Sequence, residues 1–363
     1  MNLKKLVEEI NIKPDEKKTE ALNTYIQNNR RSASFDKTLK NAMQRDIIHT
    51  FYKEDYYNHY NYVYEELDGL EYTIADIDKV ANSPKYRGAD HDTNTSTIFG
   101  LALSALMNKV AEKGDKIQLN MPMSIYYLFY LADGIEAHVN VAGGYLGNSA
   151  KNSKIYAEKA ANVAGQYMDN CELHVNEAGN YLGNSAKNSK IYAEKAWSNA
   201  GYCMDNCELH VNAAGDYLGD SAKNSKIYAE KAGDYTGDNM NNCELHVNVA
   251  GYNLGYNAKN SKIYAGNAGF WAGNEMYNCE LHVNLAGDYL GKSAKNSKIY
   301  AENAGNHAGY NMDNCELYIK NLIGELDGSC FKGKNEIYLG KESYELHPIK
   351  YRLRKVKIWE KET

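Results

Sequence analysis

Cys171-Glu172-Leu173-His174-Val175-Asn176-Glu177-Ala178-Gly179-Asn180-Tyr181-Leu182-Gly183-Asn184-Ser185-Ala186-Lys187-Asn188 is followed directly by Ser189-Lys190-Ile191-Tyr192-Ala193-Glu194-Lys195-Ala196-Trp197-Ser198-Asn199-Ala200-Gly201-Tyr202-Cys203-Met204-Asp205-Asn206. The two runs are copies of one eighteen-residue pattern that recurs from about Ile117 to Lys332. A short fixed period marks a solenoid, because one unit cannot bury an apolar face alone and must stack on its neighbours.

Each coil is numbered from its Cys or Ser. Positions 3 and 5 are apolar, as in Leu173 and Val175 or Leu209 and Val211, and the positions between them are polar or aromatic. That is a half-buried strand of period two. Position 8 is Ala and position 13 is Gly in ten consecutive coils, Ala142 to Ala304 and Gly147 to Gly309, so bends follow the strand at fixed places and a helix is excluded. Like coils stacked in parallel set each residue over its counterpart, about 4.8 Å away. The expected fold is mainly β: a right-handed parallel β-helix of about 12 coils, with an α-helical N-terminal domain.

Side-chain volumes agree with stacking in register. Positions 12 and 16 trade size, Leu182 with Ala186 and Ala200 with Met204, so large lies over small. Position 18 is Asn from Asn152 to Asn314, which predicts a left-handed bend and a ladder of amides. Position 2 alternates Glu136, Lys154, Glu172, Lys190 and onward to Glu316, so a slip by one coil would bring like charges together. The true repeat is a double coil of 36 residues.

The run Ala268-Gly269-Phe270-Trp271-Ala272-Gly273-Asn274-Glu275-Met276, followed by a short strand, resembles the glycine-rich β-helix found as the C-terminal domain of the large chain of glutamate synthase and as one of the subunits of formylmethanofuran dehydrogenase. The resemblance covers the solenoid and none of the first hundred residues. It implies right-handed winding, no catalytic residue, and a role in packing between domains or subunits. The chain departs from that pattern at Asn188-Ser189 and Asn206-Cys207, where the family has a Gly-Gly pair.

A net charge of −6 with both signs mixed leaves no overall nucleic-acid footprint. The opening Met1-Asn2-Leu3-Lys4-Lys5-Leu6-Val7-Glu8-Glu9-Ile10 lacks the apolar core of a signal peptide, and Ile125–Ala132, the longest apolar run, is too short to span a membrane. A cytoplasmic location is expected, with no membrane partner. Of seven cysteines, five occupy position 1 of every second coil (Cys171, Cys207, Cys243, Cys279, Cys315). A spacing of about 9.6 Å is too long for disulfides within the column. Small residues facing the interior are the reading set against a metal or redox wire.

Three domains are expected: 1-116, α-helical; 117-340, the solenoid; 341-363, a basic tail or edge strand. Before the solenoid, helices are read over Leu3–Ile10, Asp15–Gln27 and Asp36–Tyr52, with Arg30 and Arg31 in a basic turn. Tyr56, Tyr57 and Tyr60 belong to a dense tyrosine cluster that either stacks bases, faces a partner, or is buried against the solenoid's end. Asp90-His91-Asp92 carries ligand-type side chains without a distant helper. Ser96–Lys113 is read as a helix lidding the first coil, and Ile117–Gly134 as a degenerate coil that keeps Leu119 and Met121 in the strand columns.

The sequence carries no phosphate loop, zinc spacing or serine elbow. Hence no catalytic residue, cofactor or metal is expected, and the enzyme question leans to no. The regular outer wall of His, Tyr, Glu and Lys, represented by Tyr192, His210, Tyr228 and His246, is the candidate docking surface. The expected function is that of a structural or protein-interaction protein with a protein partner, a homo-oligomer included. An accessory subunit of an oxidoreductase or amidotransferase complex is the second reading. A nucleic-acid-associated protein using Arg30, Arg31, the tyrosines and the tail is the third.

Overall fold

A computed structural model describes residues 56–58, 60–61, 63–65, 67, 72–82, 93–346 and 356–359. The three earlier helices, Arg30, Arg31 and Asp90–Asp92 lie outside the described residues. The chain divides into two compact units, Met1–Ala178 and Gly179–Thr363.

In the first unit, α1 (Ile74–Ala81) and α2 (Thr93–Val110) precede β1 (Lys116–Leu119), β2 (Glu136–Ala142), β3 (Lys154–Ala160) and β4 (Glu172–Ala178). In the second, β5 (Lys190–Ala196) opens a series that continues at eighteen-residue intervals to β11 (Lys298–Ala304) and β12 (Glu316–Leu322). A 3₁₀ turn (Gly328–Phe331), β13 (Glu336–Leu339), α3 (Lys341–Leu346) and β14 (Lys357–Ile358) complete it. Within each unit the strands pair in chain order, all parallel and in the expected register: Leu209 lies opposite Ile227, and His210 opposite Tyr228. Fourteen strands make about thirteen turns, one more than the repeat count predicts, because β13 and β14 add to the series.

The interior is built as the columns require. Leu173, Val175, Ala178 and Leu182 are buried, and so is every large and small member of positions 12 and 16 from Leu146 to Met312. Position 13 needs glycine for space. A Cβ on Gly183 or Gly219 would overlap the Cδ1 of Ile191 or Ile227 on the following strand. Positive φ alone does not demand it: positions 11 and 15 are left-handed too, at Tyr181 (φ 61) and Ser185 (φ 55). Alternating left-handed residues send successive N–H groups to opposite neighbours. Tyr217 N–H bonds the carbonyl of Asp234 in the next coil, and Gly219 N–H that of Ala200 in the previous one. The turn thereby satisfies its backbone without forming a strand.

Both terminal coils differ from the expected register. Ile117 and Leu119, rather than Leu119 and Met121, stand in the two apolar strand columns, opposite Ala137 and Val139. Two residues are inserted before Tyr127, whose φ of 58 resumes the left-handed pattern. At the other end Glu316 lies opposite Glu336, again twenty residues on, so the charge alternation stops there. Glu336 instead meets Lys357 at 2.7 Å.

The expected lid is present as α2, running Thr93–Val110 rather than 96–113. Its polar side chains replace the missing neighbour of the first coil. Ser104 Oγ donates to Tyr127 O (2.8 Å) and accepts from Tyr130 N (3.1 Å), while Ser96 Oγ does the same for Ser124 O and Tyr126 N. Asn108 Nδ2 donates to Tyr130 O at 3.0 Å. Between them Gly100 has no room for a Cβ, which would overlap Tyr126 O. Gly100→Ala is expected to lift α2 and cost about 1 to 3 kcal/mol, the range for an overpacked contact. Chemical denaturation measures the loss, and light scattering should rise as the strand edge is uncovered; a melting curve unchanged from wild type would remove α2 as the cap.

Candidate functional site

The outer strand face is built from positions 2, 4 and 6. Position 4 forms a column of stacked rings. In the first unit His138, Tyr156 and His174 have centroids 4.5 and 4.8 Å apart. In the second the column runs from Tyr192 through His210, Tyr228, His246, Tyr264, His282 and Tyr300 to Tyr318 and Tyr338. The spacing alternates. A His lies 4.5 to 4.7 Å from the Tyr that follows it, as in His210–Tyr228 and His246–Tyr264, whereas Tyr228–His246 is 5.1 Å.

Position 2 locks this column. Each His Nε2 bonds the Glu two residues before it, at 2.6 Å for His174–Glu172 and 2.7 Å for His210–Glu208, His246–Glu244 and His282–Glu280. The second carboxylate oxygen faces the Lys of the preceding coil, 3.3 Å for Lys154–Glu172 and 4.0 Å for Lys226–Glu244. The charge ladder thus closes on one side only, because Glu172, Glu208 and Glu244 each divide their two oxygens between histidine and lysine. The hydrogen bond from histidine, aided by lysine, holds Glu136, Glu172, Glu208 and Glu244 below the usual carboxylate range. The amide column shows the same two-coil unit: Asn206 donates to Asn188 and Asn242 to Asn224, while Asn224 itself donates to Asp205 at position 17.

This face carries a shallow groove of about 590 Å³ over five coils of the second unit, lined by His210, Asn212, Tyr228, Glu230, His246 and Asn248 and ending at Asn284. A smaller one of about 310 Å³ lies over Gln118–Asn176 in the first unit. Tyr192, His210, Tyr228 and His246 stand in one ring column, and the last three of them line the groove. The tyrosine cluster is not a uniform surface. Tyr60, an interaction candidate, is buried, with its hydroxyl 2.7 Å from Asn108 Nδ2 and its ring edge-on to Tyr130. Tyr56 packs 4.7 Å from Tyr127, and Tyr57 is exposed. Asn108 on α2 and Tyr130 in the first coil draw Tyr60 inward.

Chemistry is sparse here. Among the described residues no three His, Cys, Asp or Glu side chains converge in a way that could hold a metal ion. The position-1 thiols are buried, and burial pushes Cys171 up to about 11 and Cys243, Cys279 and Cys315 in the same direction, away from the thiolate form that reacts. Their Sγ atoms donate to the position-17 carbonyl, 3.3 Å for Cys279–Tyr277. Comparison with family models, with curated proteins and with solved structures gives no match.

Two carboxyls on the turn side were not anticipated. Asp220 and Asp238 occupy position 14 of adjacent coils, and Asp238 Oδ1 is buried without a hydrogen-bond partner. Burial, and then the Asp220 carboxylate, push Asp238 up to about 6 from 3.8. A folded-state value above the unfolded one means that the folded chain holds the proton more tightly, so this residue's contribution to stability falls as pH rises through that interval. Asp238→Asn, which copies Asn184 and Asn274 in the same column, should raise the melting temperature near pH 7.5 and leave it almost unchanged near pH 4.5. Equal shifts at both pH values would mean that Asp238 is not titrating in this interval.

Proposed function

We propose that this chain is a non-catalytic interaction scaffold whose outer strand face docks another protein. The observation that carries the reading is the groove over His210–Asn284, floored by side chains already held in place by stacking and by carboxylate bonds. A surface whose rotamers are fixed before binding loses little side-chain entropy when a partner arrives. The resemblance to the glycine-rich β-helix of glutamate synthase and formylmethanofuran dehydrogenase supports a packing role between subunits. The second reading makes the chain an accessory subunit of an oxidoreductase or amidotransferase complex, and co-purification with a large redox enzyme would favour it. A cytoplasmic setting fits seven cysteines of which none is in a disulfide. The nucleic-acid reading loses the support of Tyr60, whose ring is buried.

The test leaves the ladder intact. Asn212, Asn248 and Asn284 line the groove, are exposed, and stand outside the His–Glu–Lys network. The triple change Asn212→Arg, Asn248→Arg and Asn284→Arg fills the groove and is expected to keep the wild-type melting temperature while weakening recovery of the native partner by about tenfold or more in affinity purification. Undiminished recovery by the triple variant, with loss on Tyr57→Ala, would move docking to the tyrosine cluster.

A further inference from the structure

On the turn side of the second unit, position 10 follows a rule. Its Asp or Asn side chain accepts a hydrogen bond from the position-10 N–H of the next coil: Asn180 from Ser198 (3.0 Å), Asp216 from Asp234 (2.9 Å), Asp234 from Tyr252 (2.8 Å) and Asp288 from Asn306 (2.7 Å). Ser198 departs from it in one isolated coil, and two consecutive coils abandon it. Tyr252 and Phe270 occupy position 10, so no carboxylate or amide is offered to Phe270 or Asp288. Giving up a cap that the repeat supplies elsewhere is a local loss to the fold, and such losses mark positions kept for another purpose.

In their place stand exposed rings. Tyr252 is 47% and Phe270 43% exposed. They stack 5.5 Å apart at 9°, each lying over the glycine of the following coil, where a Cβ on Gly269 or Gly287 would meet the ring at 2.6 or 2.5 Å. Trp271 stands edge-on to both, 6.3 Å from Tyr252 and 6.1 Å from Phe270. The coil of Phe270 carries Gly266-Asn267 where the three earlier lysine coils carry Glu-Lys, as at Glu230-Lys231, and exposed Val249 and Leu285 flank it. The result is an uncharged apolar corner.

Its surroundings are acidic. Over positions 9 to 15 of the five coils from Gly215 to Ser293 there are six acidic residues, Asp216, Asp220, Asp234, Asp238, Glu275 and Asp288, against one base, Lys292, and all of the six but Asp238 reach the surface. No ion pair to any of the six occurs among the described residues. A ring platform rimmed by carboxylates that no cation neutralises has the chemistry to take a guanidinium, which lies flat on an aromatic face and donates to carboxylates at the same time. We propose that Tyr252, Phe270 and Trp271 form a docking corner for an arginine-bearing basic segment of a partner protein. This surface adjoins the strand-face groove at Gly266, but its three rings lie outside the groove's lining, so either can fail without the other.

The probe is an end-capped peptide of alternating arginine and glycine, with a lysine counterpart and a neutral oligosaccharide as controls, titrated against the full chain by fluorescence anisotropy at low salt. The arginine peptide should bind at least about threefold tighter than the lysine one, because only the planar cation stacks. Tyr252→Asp with Phe270→Asp restores the position-10 rule and adds two negative charges, so bare electrostatic attraction would strengthen binding. The proposal requires a loss of about tenfold instead. A second variant, Asp216→Asn with Asp234→Asn, keeps the acceptors as Asn180 does and should also weaken binding. Tighter or equal binding by the double-aspartate variant overturns the proposal, as does absence of arginine-peptide binding, including the case in which the oligosaccharide binds in its place.

Discussion

Parallel stacking in register sets the terms for every side chain in the repeat, since a residue's nearest neighbours are its counterparts eighteen positions away in sequence and about one strand spacing away in space. A column can then be only what tolerates itself as a neighbour. Apolar residues do so freely, which is why Leu and Ile share position 3 as Leu209 and Ile227. A column of one charge would repel itself. Position 2 escapes by alternating, and from Glu136 to Lys298 the alternation commits position 4: where position 2 is Glu, position 4 is His, which donates to it, and where position 2 is Lys, position 4 is Tyr; at Glu316 the donor is Tyr318. The Cys/Ser alternation at position 1 has the same period. Cys207 N–H donates to Ser225 Oγ in the following coil at 3.0 Å, and Cys243 N–H to Ser261 Oγ. Ion pairs this exposed contribute little each to stability. Their effect is on register, since only a shift by two coils restores all three columns together.

The same stacking leaves an unpaired backbone at either end, and both ends use one device. In the first unit Ser104, four residues after the close-packed Gly100, supplies a donor and an acceptor to the first coil. In the second unit Ser343 on α3 donates to Lys320 O (3.1 Å) and accepts from Leu322 N (2.9 Å). Gly340, three residues earlier, likewise has no space for a Cβ against Lys320 O. A hydroxyl can donate and accept at once, so one serine stands in for the two groups a neighbouring strand would offer.

This division explains what was legible in the sequence. Strand columns, the Ala and Gly columns, the size trade at positions 12 and 16 and the alternating charges all arise from neighbour-to-neighbour constraints repeated ten times, so each is written ten times. The first coil's register was not legible, because Ile117, Leu119 and Met121 are equally apolar and only pairing with Ala137 and Val139 tells them apart. Left-handed backbone at Tyr181 and Tyr217 was hidden as well, since tyrosine carries no signal for positive φ and is held there by its N–H bond to the following coil, to Ser198 O and Asp234 O. Tyr60 could be read as surface or as core until α2 placed Asn108 against its hydroxyl.

Function follows the opposite logic from fold in such a chain. A residue that repeats in every coil is explained by stacking, so repetition of His and Tyr along the strand face is first of all a structural ladder, and the groove above it is its by-product as a surface. Departures carry the other kind of information. Where a column breaks at a terminal coil, as at Phe129 in the position-13 column, the break closes an end and the side chain is buried. Where it breaks in mid-array, as at Tyr252 and Phe270, no end needs closing and the new side chains are exposed. Replacing a hydrogen-bonding aspartate by an exposed ring removes a backbone partner and adds apolar surface, both unfavourable for a free monomer. The cost is offset only when something covers the rings, which places the search for a partner at the irregular coils rather than along the regular ones.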